Sequence, residues 1–238
     1  MKRLLSYTRE PLDNQIYSHK LAKSLHLALE TENGWKPLNY NYGICFARAT
    51  QNEDLTLNAK SLDFPYIFKK QTGGYGFVAV PLSAEMKDFA PDEERRGCII
   101  YFSTNDFVHY TEDGILKLSD SFIKDVSCDS LDGGYILRYL DDNGWHALKG
   151  ESLETLEPIS CTNAPEYETE KPEIEGICPR NIIEITDVSL VWSSQKSRQL
   201  CSYLLNIPTW ILSLKLNESK SKFLIFCLKP SSPTFFCK

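Results

Sequence analysis

A succession of short aromatic and β-branched segments, each bounded by a turn rich in glycine, asparagine or aspartate, constrains the fold most. The turns include Asn33-Gly34, Gly73-Gly74 and Asp132-Gly133-Gly134. Aromatic and β-branched residues favour half-buried pleated strands, and turns of this type between two such segments are typical of hairpins. Up to about Leu148 no long stretch has the 3.6-residue periodicity of a helix. The sequence therefore predicts a mainly β fold of antiparallel strands.

The turn residues also indicate where the individual strands lie. We predict strands over Ser24–Leu29, Trp35–Asn39, Gly43–Ala49, Pro65–Phe68, Tyr75–Val80, Cys98–Ser103, Val126–Asp129, Tyr135–Leu140, Trp145–Leu148 and Asn181–Ile185. We expect one helical turn over Ser18–Lys23 and a second helix that Asp187 caps and that runs towards Asn206. Type I′ geometry is expected at Asn33-Gly34 and Asp142-Asn143-Gly144, because these residues tolerate a positive φ.

Composition and charge divide the chain into three parts. Residues 1–150 have the composition of a β domain, 151–185 form an acidic, proline-rich connector, and 186–238 form a basic tail rich in Ser, Phe and Cys. From Ser193 to Lys238 seven basic residues stand against one acid, whereas the preceding residues hold 31 acids and 19 basic residues. The connector is expected to be extended or to cover a sheet edge.

The tail has two interpretations. All 12 glycines lie at or before Gly176, and the uncharged segment Phe223–Leu228 lies far beyond them. One hypothesis is that the tail is short, irregular or helical, and replaces the native continuation of the fold, as an out-of-frame end would. The other is that it is a genuine amphipathic closing hairpin or helix.

Several classes of partner and location are excluded or disfavoured by the sequence. The acidic body disfavours nucleic acid, because phosphate contacts need Lys and Arg, and no apolar segment is long enough to span a membrane. The start of the chain lacks the apolar core of a signal peptide, so we expect a cytoplasmic protein whose eight cysteines are free thiols. We expect no cofactor and no metal, although Asp141-Asp142-Asn143 could hold calcium weakly; a turn is the simpler account.

Several strand-turn-strand units recur along the sequence. Ile99–Tyr110 resembles the pattern of a strand, S-x-D-L and a closing aromatic residue. Ser61–Phe68 followed by Gly73–Ala79 resembles R-D-P-x-I-F and G-x-Y-Y-L, and Val126–Asp129 followed by Gly133–Leu137 resembles W-A-P-E and G-x-Y-Y-L. Together these phrases resemble those of family 43 and related glycoside hydrolases, which are five-bladed β-propellers. The start of the chain is similar to bacterial proteins in which a propeller precedes immunoglobulin-like and glycosidase modules.

The resemblance implies a partial or five-bladed-type propeller of antiparallel blades. A four-stranded blade takes ~40–50 residues, so the resembling part, from residue 5 to about 150, holds about three blades. A closed ring needs at least four. We therefore expect an incomplete propeller whose open sheet edges are covered, paired or available for oligomer formation.

For catalysis, the resemblance implies inverting hydrolysis by a carboxylate base and a carboxylic acid. The carboxylate of the D-P phrase aligns with Phe64, which cannot take a proton, so the candidate is Asp63, expected on the opposite strand face. Asp129 stands at the acid of the A-P-E phrase and is one methylene shorter than glutamate. The simpler alternative for Asp63 is a turn-capping role.

Candidate sugar-binding residues lie mostly near the start of the chain. Arg9 could hold a sugar through its fork of donors, or could form a surface ion pair. His26 is either a cavity residue or a satisfied core histidine. Aromatic faces that could stack on sugars, or belong to the core instead, are found at Trp35, Tyr40, Tyr42 and Tyr75.

These features lead to three functional hypotheses. The first is a glycoside-hydrolase-like module that acts on or binds plant-type polysaccharide containing arabinose or xylose, with hydrolysis weakened or lost. The second is a non-catalytic carbohydrate-binding or scaffold module. The third is an inactive truncated product. The phenylalanine in the place of a catalytic carboxylate favours the second and third hypotheses.

Overall fold

The computed structural model describes residues 2–11, 22–84, 89–160 and 163–185. All of these belong to one compact unit, Met1–Lys196. The described chain is mainly β with antiparallel sheets, which confirms the predicted class. None of the helices in these ranges has the length and apolar character needed to cross a membrane. Most of the expected turn at Ser18–Lys23, the helix from Asp187 and the whole tail lie outside the described residues.

Fourteen strands and two short 3₁₀ turns make up the described structure. The strands are β1 (Lys2–Arg9), β2 (His26–Thr31), β3 (Gly34–Pro37), β4 (Thr50–Gln51), β5 (Leu57–Asn58), β6 (Lys60–Lys69), β7 (Tyr75–Ser83), β8 (Cys98–Thr104), β9 (Thr111–Lys117), β10 (Asp125–Leu131), β11 (Gly134–Asp141), β12 (Gly144–Gly150), β13 (Glu157–Ile159) and β14 (Ile177–Ile185). The 3₁₀ turns are Asn39–Asn41 and Glu93–Arg95.

Three four-stranded antiparallel sheets carry almost all of these strands. Sheet A has the order β14-β1-β2-β3, sheet B the order β6-β7-β8-β9, and sheet C the order β10-β11-β12-β13. Sheets B and C are simple meanders. Sheet A instead joins the last described strand to the first, with Lys2 opposite Ile185 and Arg9 opposite Ile177. The pair β4-β5 forms a separate small hairpin.

The hydrophobic core lies between the sheets in two layers. Leu4 and Leu27 of sheet A pack with Ile67 and Phe77 of sheet B. On the other side of sheet B, Val78 packs in a second cluster with residues of sheet C such as Val126 and Leu137. Sheet B therefore lies between sheets A and C. A third cluster of buried side chains belongs to sheet A alone. Its members are Leu5, Tyr7, Ala28, Ile177 and Ile182.

Two local predictions from the sequence are wrong. Gly43–Ala49 is not a strand; a single bridge joins Leu25 to Cys45 there. In the hairpins that were expected to be type I′, only the glycine that follows the two-residue loop has positive φ, 94° at Gly34 and 111° at Gly144. Type I′ requires positive φ at both central residues, so these turns place a left-handed glycine after the loop instead.

Within the described residues, the three sheets meet at β6 of sheet B. β6 contacts β1 and β14 of sheet A on one side and β10 of sheet C on the other. Its pairing with β7 shifts register between Asp63 and Tyr66, and Phe64 has a left-handed φ of 53°. This bulge changes the alternation of side chains along β6. The side chains around it belong to the candidate site.

Candidate functional site

Asp63, the first predicted catalytic residue, lies at the bulge of β6 and is held by a cation, Lys23, whose side chain is only 14% exposed. Its carboxylate accepts hydrogen bonds from Lys23 Nζ at 3.0 Å, Thr8 Oγ1 at 3.1 Å and the Phe64 backbone N–H at 3.0 Å. Burial alone would lower the pKa of Lys23, but Asp63 and neighbouring acids raise it above its ordinary value. The lysine is therefore a firmly charged partner, and the carboxylate has three donors already.

Asp129, the second predicted catalytic residue, lies on β10 and also has its own cation. Arg138 Nη1 is 2.6 Å from Oδ2, and Tyr66 Oη donates to Oδ1 at 2.9 Å. Burial, followed by the nearby Asp129 charge, raises the pKa of Tyr66 well above its ordinary value. The phenol thus remains a protonated donor. Neither predicted catalytic carboxylate has the apolar, unpaired surroundings of a general acid.

A further cluster of charged and polar side chains, near enough to Asp63 to interact with its charge, was not predicted from the sequence. Arg180 of β14 forms a forked ion pair with Asp125 of β10 and also donates to the Tyr167 hydroxyl. Burial raises the pKa of Asp125, and Arg180 opposes that effect. No local motif marks this cluster, because Asp125 lies 55 residues before Arg180 and even Tyr167 lies 13 residues before it.

A second group of predicted residues surrounds an unusual loop, Leu38–Gly43, which we call the tyrosine turn. Three consecutive residues that are not glycine have left-handed φ values: 50° at Asn39, 55° at Tyr40 and 63° at Asn41. Each such residue costs of the order of 1–2 kcal/mol. Such backbone strain persists only where surrounding contacts hold it, and it often accompanies a functional role.

Buried polar side chains of β1 hold the tyrosine turn in place. Tyr7, which is fully buried, donates from its hydroxyl to Asn41 Oδ1 at 2.7 Å. Arg9, also buried, donates to the Asn41 carbonyl at 3.1 Å. Asn39 Nδ2 closes the loop on the Gly43 carbonyl at 3.1 Å. The structure therefore gives Arg9 a supporting position inside the protein.

The tyrosine turn displays its two aromatic side chains to solvent. Tyr40 is 65% exposed and Tyr42 is 46% exposed. Exposed large hydrophobic side chains on a rigid support are typical of binding surfaces, and tyrosine combines an apolar ring with a polar hydroxyl. This arrangement is suited to stacking on a flat apolar face of a ligand.

The other predicted sugar-binding residues belong to the interior. His26 is fully buried beside Tyr7, with ring centroids 5.2 Å apart, and its Nδ1 lies 3.0 Å from the Ser24 carbonyl. Burial lowers the pKa of His26 to about 3. Tyr75 is also buried, with its ring 4.4 Å from that of Phe107. These placements match the core alternatives for both residues.

Trp35, another of the aromatic residues that could stack on sugars, is partly buried. Its indole N–H donates to Glu170 at 2.7 Å, and the Arg3 guanidinium lies 5.6 Å from its ring. Arg3 also pairs with Glu30, Glu168 and Glu170. The Trp35 ring is therefore part of the contact between sheet A and the acidic connector.

The described residues contain no group of three or more His, Cys, Asp or Glu side chains arranged to hold a metal ion. Asp141 instead accepts hydrogen bonds from Ser119 Oγ, from the Asn143 backbone N–H and from His146, as a turn-organising carboxylate would.

Comparisons with protein-family models, with curated proteins and with solved structures found no match. Fold and site together define a mainly β protein with an exposed aromatic turn.

Proposed function

We propose that this chain is a carbohydrate-binding module that receives plant-type polysaccharide, with arabinose or xylose units, on its tyrosine turn. The observation that carries the proposal is the exposure of Tyr40 and Tyr42 on a strained loop. Hydrogen bonds from Tyr7 and Arg9 hold this loop in place. Sugar rings present flat arrays of C–H groups that pack well on aromatic faces. A rigid loop loses little conformational entropy when it binds.

We further propose that the three sheets are consecutive blades of an incomplete propeller. Sheets B and C are four-stranded meanders, as blades are, and sheet B packs between the other two. β6, the first strand of sheet B, contacts β1 and β14 of sheet A and β10, the first strand of sheet C. The family resemblance adds to this proposal through the phrases of Ser61–Phe68 and Val126–Asp129, which lie on β6 and β10, the first strands of sheets B and C.

Hydrolysis is proposed to be weakened or lost in this module. An inverting hydrolase needs one carboxyl group that carries a proton at neutral pH and a second one that activates water. Asp63 is tied to Lys23, and Asp129 is tied to Arg138 and Tyr66. Phe64 stands where the resemblance places a carboxylate. These contacts favour a binding role over an acid–base role.

A glycan array of plant polysaccharide fragments tests the binding proposal. We expect the full chain to retain arabinose- or xylose-containing fragments, and the Tyr40→Ala/Tyr42→Ala variant to lose them. Leu55→Ala/Leu57→Ala is the matched control, because these side chains are also exposed large hydrophobics, at 74% and 68%. Equal loss in both variants, or no retained glycan with the wild type, would reject the proposal.

Inverting hydrolysis remains the second candidate because of one observation. Asp125 is a largely buried carboxyl group whose pKa burial raises despite its ion pair with Arg180, and it lies near enough to Asp63 to interact with its charge. Release of nitrophenol from aryl-arabinosides and aryl-xylosides measures this activity directly. Activity that disappears in both Asp63→Asn and Asp125→Asn would favour hydrolysis, whereas an inactive wild type would leave binding alone. Asp129→Asn tests the other predicted carboxylate in the same assay.

A further inference from the structure

Arg180 occupies a site whose walls are made entirely by other elements. The side chain extends from β14 and is only 6% exposed. Asp125 and Val126 come from β10, Phe64 and Tyr66 from β6, and Tyr167 from the connector. An arginine on an edge strand thus reaches into a pocket formed by two neighbouring sheets and a loop.

The pocket satisfies a guanidinium group with both charge and geometry. Nη1 donates to Asp125 Oδ2 and to the Tyr167 hydroxyl, and Nη2 donates to Asp125 Oδ1 and to the Val126 carbonyl. Four of the five guanidinium N–H groups therefore have acceptors. Only Nε, where the side chain enters, is buried without a partner. A carboxylate facing the two terminal nitrogens matches the planar fork of arginine and not the point charge of lysine.

Aromatic rings complete the enclosure. The guanidinium carbon lies 4.7 Å from the ring centroid of Tyr167, 5.5 Å from that of Phe64 and 5.6 Å from that of Tyr66. All three distances are within the range of cation–π attraction. Tyr66 and Tyr167 also pack edge to face, with centroids 5.4 Å apart, so the rings support one another. Several aromatic faces with a carboxylate form the kind of cage that recognises organic cations.

From these contacts we infer that Phe64, Tyr66, Asp125, Val126 and Tyr167 form a guanidinium-binding site, which Arg180 fills within the same chain. The ligand class is a guanidinium group, free or on an arginine side chain. The left-handed conformation of Phe64 turns its ring towards this site at the bulge of β6. This gives the bulge a role, because a regular strand would place consecutive side chains on opposite faces.

Chemical rescue of the Arg180→Ala variant tests the site. The substitution removes the guanidinium and leaves the largely buried Asp125 without its cation, so the variant should unfold at a lower Tm than the wild type. Methylguanidinium at millimolar concentration should restore most of the lost Tm. Methylammonium, which has the charge without the fork, and N-methylurea, which has a planar fork without the charge, should not.

Two further variants separate a specific site from a general salt effect. Arg3→Ala also removes a guanidinium paired with carboxylates and near an aromatic ring, but at a site open to solvent, so methylguanidinium should not rescue it. Arg180→Ala/Asp125→Asn lacks the facing carboxylate and should also lose rescue. Equal stabilisation of all variants by methylguanidinium, or by the three small molecules alike, would overturn the inference.

Folding of the Arg180→Ala variant itself gives a second readout. If the variant refolds from urea only when methylguanidinium is present, the site is supported in the same way as by rescue of Tm. If it fails to refold with or without methylguanidinium while Arg3→Ala refolds, Arg180 acts as a structural anchor and the inference is wrong. This test does not involve glycans, so its outcome is independent of the proposed function.

Discussion

Burial of His26 links the stability of the protein to pH. The folded protein holds this imidazole at a pKa of about 3 because of burial, whereas an unfolded chain has the ordinary value of 6.5. Unfolding therefore takes up a proton between these pH values, and the free energy of unfolding falls as the pH falls through this window. By about pH 4.5 the loss from this one group reaches about 2–3 kcal/mol.

The His26→Gln variant tests this link in urea titrations at neutral pH and at about pH 4.5. The variant is expected to be less stable than the wild type at both pH values. The fall in its free energy of unfolding from neutral pH to about pH 4.5 should, however, be smaller than in the wild type by about 2 kcal/mol. His109→Gln is the control, because that imidazole is largely exposed and pairs with Asp106. An unchanged difference in His26→Gln would contradict the assigned burial effect.

The ion pair of Lys60 and Asp92 makes a second contribution to stability that can be measured. Both side chains are 2% exposed, and the ammonium lies 2.7 Å from the carboxylate. Lys60→Met leaves a buried charge without its partner, so the free energy of unfolding should fall by about 3–5 kcal/mol. Lys124→Met, at the exposed pair with Asp142, should cost less than ~1 kcal/mol. Similar losses in the two urea titrations would contradict this account.

At the scale of elements, the tyrosine turn allows a test of backbone strain. Tyr40 has a φ of 55° and a largely exposed side chain. Glycine adopts this conformation without the steric penalty of Cβ. Tyr40→Gly should therefore be more stable than Tyr40→Ala by about 1 kcal/mol, measured by urea denaturation. At an ordinary extended position the order is reversed, so a less stable glycine variant would show that the turn is not left-handed in solution.

The elements that could be predicted from sequence are those with a local signal. Gly73-Gly74 and Asp132-Gly133-Gly134 each join strands that were expected on both sides, and the structure places hairpins at both. β1 and β9 were missed. β1 has no turn residues at its start, and β9 is a polar edge strand whose sequence, Thr111–Lys117, lacks a continuous apolar face. The left-handed conformation of the tyrosine turn could not be predicted, because asparagine and tyrosine, unlike glycine, do not indicate a run of residues with positive φ.

At this scale the sequence could name candidate site residues but not whether each one faces solvent. For Tyr42, Tyr75 and His26 it left a ligand-facing and a core position open; Tyr42 is exposed, whereas His26 and Tyr75 are buried. Apolar neighbours around a polar residue do not distinguish a cavity from a packed core. The Arg180 cluster could not be predicted, since its partners on β6, β10 and the connector lie far apart in the sequence.

At the scale of the whole molecule, the sequence predicted repeated antiparallel units but not how they join. The meanders of sheets B and C follow directly from consecutive hairpins. The pairing of β14 with β1 brings together the first and last described strands, and its register depends on contacts such as Ser6 with Asn181. Asn181 also bonds to both the N–H and the carbonyl of Ile67, which ties sheet A to sheet B. Non-local pairings of this kind leave no signal in a local sequence pattern.

Calorimetric titration of the full chain with xylo- and arabino-oligosaccharides tests the central claim most directly. The account predicts one saturable binding event for the wild type, weakened by at least about tenfold in Tyr40→Ala/Tyr42→Ala and unchanged in Leu55→Ala/Leu57→Ala. No heat of binding in the wild type, or the same affinity in the tyrosine variant, would contradict it.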